Sequence, residues 1–229
     1  MIDASVDSIS HDLLVGLTGA YSSNHHSGGF RTFPQRDDTR IFEGGSGGGG
    51  QFGIAAELIL SRFFSIDARA MYDIRPAQFE TPVNAVLILT PPNGMEYRND
   101  TSVRADVDYR MLTFDAMLSG RVLELGKDVF ITFSVGPSIS LVQSATITQW
   151  TERYDGSGDR HYQSENSDVR EPQDIRYAVK AGTGIDFRAS ERFWIHARVH
   201  GDYGLSEVTM TENWQVNSAL IQFDVLYAL

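Results

Sequence analysis

The chain has 229 residues and no cysteine. That absence excludes disulfide staples, cysteine–zinc sites and a cysteine nucleophile. No run of eighteen apolar residues occurs, so no transmembrane helix can form. Met1 to Ser10 lack the basic and apolar regions of a signal peptide, so an exported form is numbered from beyond its signal. Basic residues are scarce. Nineteen Lys and Arg stand against thirty Asp and Glu, and the formal charge of −11 argues against a nucleic-acid partner. The glycine run Gly44 to Gly50 is not followed by the Lys-Ser/Thr pair that a phosphate loop needs. His25 and His26 form a loop pair with no further ligands at metal-site spacing. No metal, cofactor or catalytic residue is expected.

What the chain does have is alternation. In its last twelve residues Ile221, Phe223, Val225, Tyr227 and Leu229 fall on one face of an extended strand. Gln222, Asp224, Leu226 and Ala228 fall on the other. A period of two is the signature of a strand. Seven more segments alternate likewise: Asp12–Tyr21, Gln51–Leu60, Phe64–Arg75, Tyr109–Leu123, Phe130–Val142, Ile175–Phe187 and Phe193–Tyr203. Short turns near Ser61-Arg62, Glu124–Asp128 and Arg188–Arg192 alternate with long connections over Ser22–Gly50, Pro76–Asp108, Ser144–Asp174 and Gly204–Asn217. A strand at the end of a sheet leaves a hazardous edge, and pairing the last strand with the first removes it. The expected fold is all-β: a closed antiparallel transmembrane β-barrel of about eight strands, with short periplasmic turns and long extracellular loops. It is read as one domain over residues 1–229, with 1–11 as an N-terminal periplasmic extension.

Two patterns decide which face is outside. The polar face carries Gly16, Gly53, Gly136, Gly182 and Gly184 beside charges of both signs. A water-facing surface has no need to shrink to glycine, whereas the crowded lumen of a small barrel does. The apolar face places Tyr21, Phe64, Tyr72, Tyr177, Phe187, Phe193, Tyr203 and Tyr227 near strand ends, as aromatic girdles at two lipid interfaces require.

The alternation, the loop asymmetry, the strand F-I-T-F-S-V-G-P and the closing I-Q-F-D-V-L-Y-A-L resemble the small outer-membrane barrels of the OmpA/OmpX type. Within them the chain is most similar to the PorT-like outer-membrane β-barrel family, over Asp12 to Leu229. The resemblance implies an eight-stranded barrel inserted by the barrel assembly machinery, with the closing strand as its recognition signal. Leu229 stands where a terminal Phe is usual. The implied location is the cell outer membrane, and outer-membrane lipid the implied surroundings.

The inward rows carry Glu57, Asp67, Arg69, Asp73, Asp115, Arg121, Lys180, Asp186, His196, Arg198, His200, Asp202 and Asp224. In a water-poor lumen such charges must be paired. A salt-bridged plug is the favoured reading, with a proton or ion path as the alternative. Glu57 and Arg69 are expected in one ion-pair network, with Arg121 as a third member. His200 and Asp202 share a row and invite a hydrolase reading, but no serine partner is identifiable from sequence. Val83, Val86, Leu87, Ile88 and Leu89 lie in an apolar segment of a loop otherwise polar, read as a hairpin that docks a protein partner. The preferred function is therefore a non-enzymatic anchor or docking barrel acting through its extracellular loops. The alternatives are an outer-membrane hydrolase acting on lipid or peptide, and a small pore.

Overall fold

The computed structural model describes residues 13–30, 42–83, 101–126, 128–154 and 160–229. Ten strands are present: β1 (Leu13–Phe30), β2 (Phe42–Ile59), β3 (Phe64–Ile74), β4 (Ala77–Val83), β5 (Thr101–Gly126), β6 (Val129–Tyr154), β7 (Arg160–Asp168), β8 (Ile175–Arg188), β9 (Phe193–Gly204) and β10 (Trp214–Ala228). All their pairings are antiparallel. Eight strands form a ring in the order β1, β2, β3, β5, β6, β8, β9, β10. The last strand closes on the first, with Val15 opposite Tyr227 and Tyr21 opposite Ile221.

β4 and β7 add no position to the ring. β4 lies against β2 and β5 as the upward continuation of β3, after a break at Arg75 and Pro76. β7 lies against β6 above β8, with Asp168 opposite Thr146 while Ile175 is opposite Leu141. The strands therefore run past the membrane. Much of what the alternation assigned to loops at Ser22–Gly50, Pro76–Asp108 and Ser144–Asp174 is strand, and β5 and β6 reach 26 residues each. The docking segment from Val86 to Leu89 lies outside the described residues. Val83 ends β4, opposite Thr101.

Two of the short turns repeat one device. Ser61 Oγ accepts from the backbone N–H of Phe63 and Phe64 at 3.2 and 3.1 Å. Ser190 Oγ does the same for Arg192 and Phe193 at 3.3 and 3.2 Å. A serine hydroxyl that satisfies the next backbone donors fixes a tight reversal.

A band of large apolar side chains faces outward around the ring, among them Leu17, Phe52, Ile66, Leu118, Phe133, Ile185, Val199 and Phe223. Tyr21, Phe52, Tyr177 and Tyr203 mark its upper border, and Phe64, Phe187 and Phe193 its lower one. Membrane-spanning barrels are belted in this way. The spanning segments are Leu13–Tyr21, Phe52–Ile59, Phe64–Tyr72, Leu112–Leu123, Ile131–Leu141, Tyr177–Phe187, Phe193–Tyr203 and Ile221–Tyr227.

Candidate functional site

Every inward charge read from the sequence is buried, and four levels of side chains fill the barrel from bottom to top. The floor is apolar: Leu14, Ala55, Ile59, Trp194, Leu226 and Ala228 pack together, with Phe130 against them. The Arg121 guanidinium lies 4.8 Å above the Trp194 ring, joining this floor to the charges above it.

The middle level is ionic. Arg121 Nη2 donates to Glu57 Oε1 at 3.0 Å. Arg198 bridges Asp67 and both oxygens of Asp186. Arg69 Nη2 donates to Asp224 Oδ2 at 2.8 Å, and Lys180 Nζ to Asp115 Oδ2 at 2.6 Å. His196 sits among three carboxylates, with Glu57 at 3.4 Å, Asp224 at 3.8 Å and Asp186 at 3.9 Å. Arg69 does not bond Glu57 directly. Glu57 faces Asp67 across β2 and β3, so two acids meet there and Arg121 and Arg198 each take one. Crowding at this level sets the glycines: a Cβ on Gly182 would stand 2.1 Å from His200 Cδ2.

A second ionic level lies at the upper membrane border. Arg75, fully buried, donates to Asp73, Ser218 and Asp202, and so reaches across the lumen from β3 to β9 and β10. Arg176 Nη2 donates to Asp202 Oδ1 at 2.6 Å and to the Val216 carbonyl at 2.8 Å. The sequence reading missed both arginines as lumenal groups. Each continues a known inward row by one step, Asp73 to Arg75 and Ala178 to Arg176, and that step was the available signal.

Above this level stands an apolar roof. Phe42, Phe79, Ala105, Val107, Tyr109, Met111, Ala145, Ile147, Val169, Val208, Trp214 and Val216 form a single buried cluster. His26 belongs to it: its ring meets Phe79 edge-on at 5.7 Å, and its Nδ1 accepts from Trp214 Nε1 at 3.2 Å. Burial, followed by the charges of Arg75 and Arg176, pulls the His26 pKa down to about 3. The sequence pattern places His26 in a loop pair with His25. It is a core residue, because β1 continues far enough to turn it inward, while His25 faces out.

The hydrolase reading meets a specific geometry. His200 Nε2 lies 3.0 Å from Ser134 Oγ, a serine that sequence spacing did not single out. His200 Nδ1 has no hydrogen-bond partner among the described residues. Asp202 is engaged by Arg75 and Arg176 instead. A serine–histidine pair works as a nucleophile when a third group orients the ring, and substrate must reach it. Ser134 and His200 are buried in the filled lumen.

A closed antiparallel barrel with a lipid-facing apolar band is the architecture of the bacterial outer membrane. The chain is an outer-membrane β-barrel. No protein-family model matches it, and no curated protein sequence matches it. Solved structures are similar to it over most of its length. They include the outer membrane protein OprG from Pseudomonas aeruginosa (10% identity, 96% of each chain covered, TM-score 0.45). Neisserial surface protein A is similar at 12% identity, over 93% of this chain and 96% of that one, with TM-score 0.41. Ail, the attachment invasion locus protein of Yersinia pestis, is similar at 11% identity, over 93% and 97%, with TM-score 0.37. These are OmpA/OmpX-like small barrels, and the likeness concerns fold alone.

Proposed function

We propose that the protein is a non-enzymatic outer-membrane barrel that anchors or docks a protein partner through its extracellular part. The carrying observation is the filled lumen. An apolar floor, two ionic levels and an apolar roof follow one another along the barrel axis. That filling supports neither a pore nor a substrate route to Ser134 and His200. The part left to act is the wall of strands above the membrane, where β4, β5, β6 and β7 present Gln78, Arg104, Asp106, Thr148 and Asn166 outward. On this reading residues 1–229 make one domain with 1–11 on the periplasmic side. The segment containing Val83, Val86, Leu87, Ile88 and Leu89 supplies the docking hairpin, and among small outer-membrane barrels the finer resemblance is to the PorT-like family.

The test is crosslinking in native membranes with wild type and with Leu87→Ser/Ile88→Ser. Capture of a defined protein by wild type, lost in the double variant while heat-modifiable gel migration persists, is the expected result. Capture that survives removes this hairpin as the docking site. A large steady conductance in planar bilayers overturns the closed lumen.

A further inference from the structure

The level between the ionic lumen and the roof holds more hydrogen-bond donors than the surrounding protein uses. Arg176 is 1% exposed, yet its Nε and Nη1 have no partner among the described residues. His26 Nδ1 accepts from Trp214, which leaves the ring hydrogen of neutral His26 on Nε2, and Nε2 also lacks a partner. Asn24 Nδ2 and the Tyr109 hydroxyl are in the same situation, and both residues are buried. The unmatched acceptors of this level are Asp73 Oδ1 and Gln51 Oε1. Arg176 Nε and Nη1, His26 Nε2, Asn24 Nδ2 and the Tyr109 hydroxyl outnumber them as donors.

These groups are close neighbours. Val216 is paired with His26 across β1 and β10, and its carbonyl receives Arg176. Arg75 N–H donates to the Tyr109 carbonyl at 2.8 Å. The charges of Arg75 and Arg176 both act on His26 and on Tyr109, and at Tyr109 Asp73 opposes them. Burial pushes Tyr109 up to about 12, so its hydroxyl keeps its proton as a donor. Asp73 and Asp202 pair with these guanidinium groups, so what this level has in excess is hydrogen-bond donors.

We propose that this level is a binding site for one small monovalent anion of halide type, held by Arg176, the Nε2–H of His26 and the Tyr109 hydroxyl. Water brings two hydrogens with its two lone pairs and passes the donor excess on to the next shell. A halide only accepts, and as a single atom it brings no hydrogens that need acceptors. Its three holders come from β8, β1 and β5, so the bound anion ties the outer wall to the membrane-spanning ring.

The experiment uses the full chain in detergent. Crystals grown with bromide as the sole halide should give an anomalous peak in contact with Arg176 and His26. In parallel, protease resistance of the outer wall is followed as chloride replaces gluconate at constant ionic strength. Resistance should rise with chloride and saturate. Tyr109→Phe, which keeps the apolar ring, should raise the half-saturating chloride concentration roughly tenfold, the effect of one hydrogen bond to a charged group. Crystals with ordered water and no bromine signal at this level overturn the proposal. So does outer-wall resistance that is indifferent to chloride in the wild type.

Discussion

Along β5 the odd-numbered residues face the lumen from Ala105 to Arg121, and the even-numbered ones face outward, without a break. What each face carries reverses on the way. Below the upper border the outward residues are Leu112, Phe114, Ala116 and Leu118, and the inward ones include Thr113, Asp115, Ser119 and Arg121. Above it the outward residues are Arg104, Asp106, Asp108 and Arg110, and the inward ones Ala105, Val107 and Tyr109. β1 and β10 reverse too, from Leu17 and Ile221 outward in the membrane to buried His26, Val216 and Trp214 inward above it. In lipid the outside is the apolar phase, and the polar remainder must satisfy itself within. In water the order is the ordinary one, with an apolar core under a polar surface. One continuous strand obeys both solvents in turn.

β6 achieves the reversal differently. Ser138 and Ser140 face in, and Ile139 and Leu141 out. A bulge then places Gln143 between the pairs Met111–Val142 and Arg110–Ser144. The extra residue shifts the phase by one, so Ala145 and Ile147 turn inward to the roof. Without it, Thr146 and Thr148 would face the roof and Ile147 the water.

The two halves should therefore break in different ways. The largest effect is expected for Arg198→Ala, which leaves Asp67 and Asp186 buried without their shared partner. A loss of about 4 kcal/mol in whole-barrel stability follows, read as a lower denaturant midpoint of the heat-modifiable form. An unchanged midpoint would mean that water reaches the ionic level. The same substitution on the two outward faces comes next. Leu118→Arg, in the lipid band, should cost roughly 2–3 kcal/mol, while Thr148→Arg, on the water-facing wall, should cost almost nothing. Equal costs would place the membrane border elsewhere.

The smallest effect concerns pH. His26 binds a proton in the unfolded chain below its ordinary value of 6.5 but in the folded roof only near 3. The unfolded state therefore holds more protons between these values, and outer-wall stability falls as pH drops from 6.5 towards 3. Between pH 6.5 and 5 the expected loss is on the order of 1–2 kcal/mol, measured by amide hydrogen exchange in the outer parts of β1 and β10. His26→Gln, which keeps an acceptor for Trp214 and does not titrate, should flatten the profile. A profile unchanged by the substitution would assign the pH response to another group.

The membrane-spanning part was legible in the sequence because a period of two against lipid is unambiguous over four or five residue pairs. Thr113 to Arg121 and Trp194 to Asp202 face where their alternation puts them. The outer wall was not legible for the same reason turned round. Ala105, Val107 and Tyr109 alternate with charges, but on the phase of the polar row, and a reader following the lipid face sees a polar return. At Gln143 the phase itself slips, which hides Ala145 and Ile147. Pairings inside the lumen were beyond the sequence, since Arg69 finds Asp224 three strands away round the ring and not Glu57 from the neighbouring strand. Ser134 was invisible as a partner of His200 because 66 residues separate them.

Arg75 has a bearing on how the barrel comes into being. Its partners Asp202 and Ser218 lie 127 and 143 residues further along the chain, and Ser218 also meets Asn24 across 194 residues. None of these contacts exists while the sheet is an open, growing ribbon. Until β10 meets β1, Arg75 has Asp73 beside it but neither Asp202 nor Ser218, and Arg69 is without Asp224. Pairing across the lumen is thus completed at closure, and contacts of such sequence separation make closure the slow step. A ribbon stalled short of it remains polar along its inner side and is kept out of the hydrocarbon, so seam formation and full insertion are one transition.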